Sequence, residues 1–159
     1  LYTLVKRTAP FAMYAAFDAP SGEACVANRV RSNSPLQALT LLNDRMLVEL
    51  AQAVGRRFAH RSDDESLDQA MVALFRSVLT RPPTADELLQ VRRFWESQQE
   101  RFILSPEQAA EFAGVDLQRE AAMSAKTGST FGSDRLAQAA AWVATARALF
   151  SLDEVQTRE

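Results

Sequence analysis

A single cysteine and a single histidine, Cys25 and His60, in 159 residues remove several chemistries at once. No intrachain disulfide can form, and no C-x-x-C-H run exists to attach a c-type haem. A zinc site built from Cys and His ligands is excluded by count. A Ser-His-Asp triad would have to recruit His60. That residue stands beside Arg56, Arg57 and Arg61 where a helix ends, and a solvated C-terminus complementing the backbone dipole is the simpler role. No run of 18 apolar residues is present, so no membrane insertion is expected. The longest weakly polar stretch, Leu136 to Phe150, is alanine-rich and broken by Gln138, Thr145 and Arg147, which reads as a buried helix. No initiator Met, basic leader or small-residue cleavage pattern opens the chain, so it is expected to begin inside a longer polypeptide.

What is present suits a globular protein: 47% apolar and 24% charged residues, with a net charge of −2. The charge is uneven. Up to Arg61 basic residues outnumber acidic ones eight to four, and from Ser62 onward acids outnumber bases sixteen to ten. The basic part lacks a Lys/Arg run or interleaved aromatics, so no nucleic-acid partner is expected.

Capping boxes divide the chain. Ser34-Pro35-Leu36-Gln37 sets a hydroxyl at N-cap, a proline at the first helical position and an amide at the third. Ser62 with Glu65, Thr84 with Glu87, and Ser105-Pro106 with Gln108 repeat that logic. Apolar residues follow at helical spacing: Leu67, Ala70, Met71, Leu74, Phe75, Val78 and Leu79 share one stripe. Leu47, Leu50, Ala51, Val54 and Phe58 make a second, and Leu88, Val91, Trp95 and Phe102 a less regular third. Leu136, Ala140, Val143, Arg147 and Phe150 belong to the last helix, and Trp95 and Trp142 read as core anchors. Arg81-Pro82-Pro83 stops one helix just before Thr84 starts the next, which predicts an antiparallel hairpin near residues 65–102. Asn43-Asp44 ends the helix over residues 36–42 and caps the one beginning near Arg45. Between Phe112 and Ser133 the signal is poor, and Gly114, Gly128 and Gly132 predict a broken helix followed by a mobile loop. No stretch alternates with a period of two. The expected fold is therefore all-α: a single helical domain over residues 1–159. An irregular lead-in, 1–33, packs on a bundle-like or orthogonal array of about five to six helices in 34–159.

Several separated motifs carry a family resemblance. They are Leu1-Tyr2-Thr3, Lys6-Arg7-Thr8, Phe17-Asp18-Ala19-Pro20, Glu23, Cys25, the run from Arg29 to Leu39, and Leu42-Asn43-Asp44. The closing run, with Ala140-Ala141-Trp142, residues 146–150 and Leu152-Asp153-Glu154, fits the same pattern. The chain resembles the C-terminal planctomycete-type domain of unknown function 1553, over nearly its whole length. Gly22 and Asn28 depart from it where arginine is common, and Arg45 where proline is. The resemblance implies the C-terminal part of a large exported, periplasmic or cell-surface protein, with a cytochrome-c-like module and a sister domain upstream. Any haem would then belong to those upstream domains, and no cofactor to this chain. The family supplies no catalytic residues to carry over.

One polar constellation exceeds background: Asp18, Glu23, Arg29, Arg31, Asn33, Asn43 and Asp44. Charges of both signs lie close around a capped helix start. They would either pair with one another and brace the lead-in, or let Arg29 and Arg31, with Asn33, Asp18 and Asp44, hold a carboxylate, sulfate or phosphate near the free N–H groups at Pro35. The brace is the preferred reading. Cys25 reads as a small buried hydrophobe. No catalytic or metal residue is assigned. The expected function is a non-catalytic interaction or scaffolding domain, docking on upstream domains of its own polypeptide or on a cell-envelope protein. The alternative is part of an enzyme site completed by upstream residues, binding an anionic or sugar-derived ligand through Arg29 and Arg31.

Overall fold

Several helices of this chain start or stop on a local chemical signal. The computed structural model describes residues 11–20, 25–28, 32, 34–61, 66–115 and 133–156, and among these the secondary structure is helical with no strand. The short helix α1 (Ala12–Ala16) lies inside the lead-in expected to be irregular, so that segment contains one turn of order. Helix α2 (Pro35–Asn43) begins as predicted: the Ser34 hydroxyl accepts from the Gln37 N–H at 3.3 Å, and Gln37 Oε1 accepts from the Ser34 N–H at 3.1 Å. Asp44 then ends α2 and caps α3 (Arg45–Arg61), its Oδ1 accepting from the Met46 N–H at 2.9 Å.

Two caps differ from the sequence reading. Helix α4 (Leu67–Leu79) is capped by Ser66 with Gln69, four residues after the Ser62–Glu65 pair, and residues 62–65 lie outside the described residues. Helix α6 (Pro106–Ala113) has Pro106 in its first turn, but Ser105 accepts no capping bond. The cause is the tight junction with α5 (Ala85–Ile103): Leu104 is still right-handed helical, and the Ser105 N–H donates to Phe102 O at 3.2 Å. That leaves Ser105 one residue in which to turn, away from the extended backbone an N-cap requires (φ −138°, ψ 73°).

Between α4 and α5 the expected break occurs. Thr80 closes α4 in the left-handed region, two prolines follow, and Thr84 with Glu87 caps α5. The pair is antiparallel, and Arg92 of α5 reaches back to Asp68 at the start of α4 at 2.9 Å. Helix α6 ends on Gly114, also left-handed at φ +66°, where a side chain would be strained. The loop expected after it falls at residues 116–132, outside the described residues. Helices α7 (Ser133–Phe150) and α8 (Asp153–Gln156) follow among the described residues. Six of these helices have eight residues or more, as expected, and α1 and α8 are too short to show periodicity.

Helix α7 is the axis of the core. It is buried on nearly every side, as its alanine-rich sequence predicts, and packs against α3, α5 and α6. One apolar cluster joins Ala141, Trp142, Ala146 and Leu149 to the stripes of α3, α4 and α5. A second joins Leu136, Ala137, Ala139, Ala140 and Ala144 to Phe102 and α6. Trp142 lies between Phe58 of α3 and Trp95 of α5, ring centroids 6.0 and 5.8 Å away. Both tryptophans are core anchors. The stripe on α3 is less complete than expected: Ala51 and Phe58 are buried, but Leu50 is 47% exposed. Cys25 is also exposed rather than buried. His60 stands exposed in the last turn of α3.

Candidate functional site

Asp18 gathers the polar residues at the start of α2. It sits at φ 54°, a left-handed conformation that aspartate tolerates better than most residues. Its Oδ2 accepts from the Ser32 N–H at 2.8 Å, from the Ser32 hydroxyl, and from Gln37 Nε2 at 3.3 Å. Gln37 is 2% exposed and uses both ends of its amide, the oxygen on the Ser34 N–H and the nitrogen on Asp18 and Ser32. The network ties the turn after α1 to the capped start of α2, as a brace would.

Asp44 is at the other end of the same helix. Its carboxylate caps α3, and Asn43 Nδ2 donates to Leu39 O at 3.0 Å. A nine-residue helix is about 13 Å long, so Asp18 and Asp44 do not converge as a pair of acid and base carboxylates. Glu23, Arg29, Arg31 and Asn33, and with them the anion site expected on those arginines, lie outside the described residues.

Two other groupings emerge that the sequence did not single out. Arg81, in the α4–α5 turn, binds Glu87 through both terminal nitrogens at 2.9 and 2.7 Å, and Glu154 of α8 at 2.7 Å. Its guanidinium carbon lies 5.2 Å from the Phe75 ring centre. Arg81, with the Thr84 N–H, holds the Glu87 carboxyl down to about 2, and Arg81 holds Glu154 below the usual carboxylate range. Every acceptor is engaged within the protein, so this grouping is a clasp between helices.

The other grouping is a pocket of about 440 Å³ between α3, α5, α6 and α7. Arg101 lies over Phe102 at 5.7 Å, Arg147 over Phe112 at 4.9 Å, and the two rings are 5.4 Å apart. Gln52 of α3 donates to Phe112 O at 3.3 Å, and Arg147 donates to Leu42 O at 2.6 Å. One sequence signal did point here: Arg147 stands on the apolar stripe of the last helix, where a cation needs a specific reason to be.

Among the described residues no group of three or more His, Cys, Asp or Glu is placed to hold a metal ion, and no helix is long and apolar enough to cross a membrane. No curated protein and no solved structure gives a match to the chain. A family model does match, over residues 1–95, from the lead-in through α4 and into α5, and on that match the chain belongs to the PSD1 family, proteins of unknown function (DUF1553).

Proposed function

We propose that this chain is a non-catalytic interaction domain that docks through the outer face of α2 and α3. The observation behind this reading is a set of large apolar side chains left in water on two consecutive helices. Leu36 is 60% exposed, Leu39 55% and Met46 59%, with Leu42 and Leu50 also exposed. They recur at three- and four-residue steps, giving an apolar stripe on each helix. Exposed apolar surface of this kind favours covering by another protein surface. The polar side chains of Asp18, Ser32 and Gln37 bond to one another, and Gln37 is buried.

In this reading the domain ends a larger exported protein, in the periplasm or at the cell surface. Its partner is the upstream part of the same polypeptide or a cell-envelope protein. It needs no cofactor of its own, haem being carried upstream.

The test supplies the upstream part of the parent polypeptide in trans and measures association by calorimetry. Replacing Leu39 and Met46 together by glutamate is expected to weaken binding about a hundredfold, two buried apolar anchors being lost, while the melting temperature holds. Unchanged affinity in that variant, or no association of the wild-type chain, rejects the docking face.

A further inference from the structure

We propose that the pocket between α3, α5, α6 and α7 binds a small carboxylate that also carries an amino or hydroxyl group. This inference is independent of the docking face on α2 and α3. The pocket volume, about 440 Å³, lies in the range of small-ligand sites.

The argument rests on how its charges are held. Arg101 and Arg147 each lie over a phenylalanine ring, and Phe102 and Phe112 touch, so the four side chains form a chain of cation, ring, ring, cation. A ring attracts a guanidinium without neutralising it. Among the described residues neither arginine makes an ion pair, whereas Arg45, Arg81 and Arg92 all do. Arg147 uses one terminal nitrogen on Leu42 O, which leaves donors of its fork available. Two uncancelled guanidiniums lining one cavity suit a carboxylate, which either fork can bind through paired N–H donors.

Glu111 of α6 lines the same pocket, and among the described residues it makes no ion pair or side-chain hydrogen bond. Acid and base thus face one cavity without cancelling. A plain anion would bind the arginines but meet the charge of Glu111. A ligand with a carboxylate at one end and an N–H or O–H donor at the other meets both. Another pocket among the described residues, about 490 Å³ beside Arg61 and Arg76, has no aromatic wall, and its Asp68 is already paired with Arg92.

The experiment follows the arginine side-chain nitrogen signals of the full 159-residue chain by NMR during titration with β-alanine, 3-hydroxypropanoate and propanoate. β-Alanine or 3-hydroxypropanoate should shift the Arg101 and Arg147 signals at millimolar concentration. Propanoate lacks the donor and should bind about tenfold more weakly. Arg101→Gln should weaken binding about tenfold or more with little change in the melting temperature, because the Arg101 side chain makes no hydrogen bond or ion pair among the described residues. Should that variant fail to fold, Arg101→Lys keeps the charge and removes the fork, and the same weakening is expected. Glu111→Gln should bring 3-hydroxypropanoate and propanoate to within about twofold of each other. The proposal is overturned if no titrant shifts either arginine, if the Arg101 variants bind like the parent, or if propanoate equals both other titrants in the unmodified chain.

Discussion

Arg81 and Glu154 stand 73 residues apart and meet side by side, Nε to Oε1 at 2.7 Å and Nη2 to Oε2 at 2.7 Å. The other edge of the same guanidinium holds Glu87, which in turn accepts from the Thr84 N–H at 2.7 Å. One side chain therefore fastens the α4–α5 turn, the first turn of α5 and the short helix α8.

The clasp predicts a pH dependence of definite sign. Glu87 falls from an ordinary 4.5 to about 2, and Glu154 is shifted the same way. Carboxyls held below their unfolded value stabilise the fold fully above that value, and the benefit is lost as pH falls through the folded one. The melting temperature should thus drop between pH 4.5 and about 2, and Arg81→Gln should flatten that drop. Because these groups are partly exposed, the effect should be a few degrees and should shrink in high salt. Thermal melts followed by circular dichroism across that range decide it, and identical pH profiles for parent and variant would contradict the clasp.

Gly55 of α3 lies tight against Val143 of α7. A Cβ there would stand 2.5 Å from Val143 Cγ2 and 2.6 Å from both the nitrogen and Cα of Val143. Two of these atoms are helix backbone, which cannot rotate away as a side-chain tip can. Gly55→Ala should therefore cost about 2–3 kcal/mol despite the better helix propensity of alanine. Urea unfolding measures this directly, and a stabilised variant would show that α7 can move.

Most of the helical plan was legible because local chemistry and burial agree. Ser34 with Gln37, Asp44, the two prolines and Thr84 act within a few residues of themselves, so their effect can be read along the chain. The α4 stripe is buried because its period matches its helix. The misreadings arose where position in space overrides a local pattern. Ser105 is too close to the end of α5, and Leu50 is left exposed on α3. The pocket was least legible. Arg101 and Phe112 belong to helices joined only by a tight turn, and Arg147 comes from another helix much later in the chain. Asp18 stands in the polar constellation read from the sequence, but its partners Ser32 and Gln37 enter that reading only as a motif residue and a cap.

Gln37 should be more sensitive than a surface glutamine. It is 2% exposed, and its amide serves Ser34 on one side and Asp18 with Ser32 on the other. Gln37→Leu keeps the approximate volume and leaves the Ser34 N–H without its capping acceptor. The expected loss is about 1–3 kcal/mol. Hydrogen exchange should speed up at the first turn of α2, and exchange rates identical to the parent would show that the network contributes nothing there.

Trp142 offers a test of the core itself. It is fully buried between Phe58 and Trp95, yet among the described residues its indole N–H has no hydrogen-bond partner. Burying an unpaired donor is costly, so the fold retains this residue for its bulk and ring contacts in spite of the nitrogen. Trp142→Phe removes the orphan donor as well as some volume, and the two effects oppose each other. It should cost about 1–2 kcal/mol, whereas Trp142→Ala, which leaves a large cavity at the junction of α3, α5 and α7, should cost about 4 kcal/mol. Chemical denaturation of both variants separates bulk from polarity. Equal losses would mean that the indole nitrogen is satisfied in solution, by a buried water or by a shift of the ring.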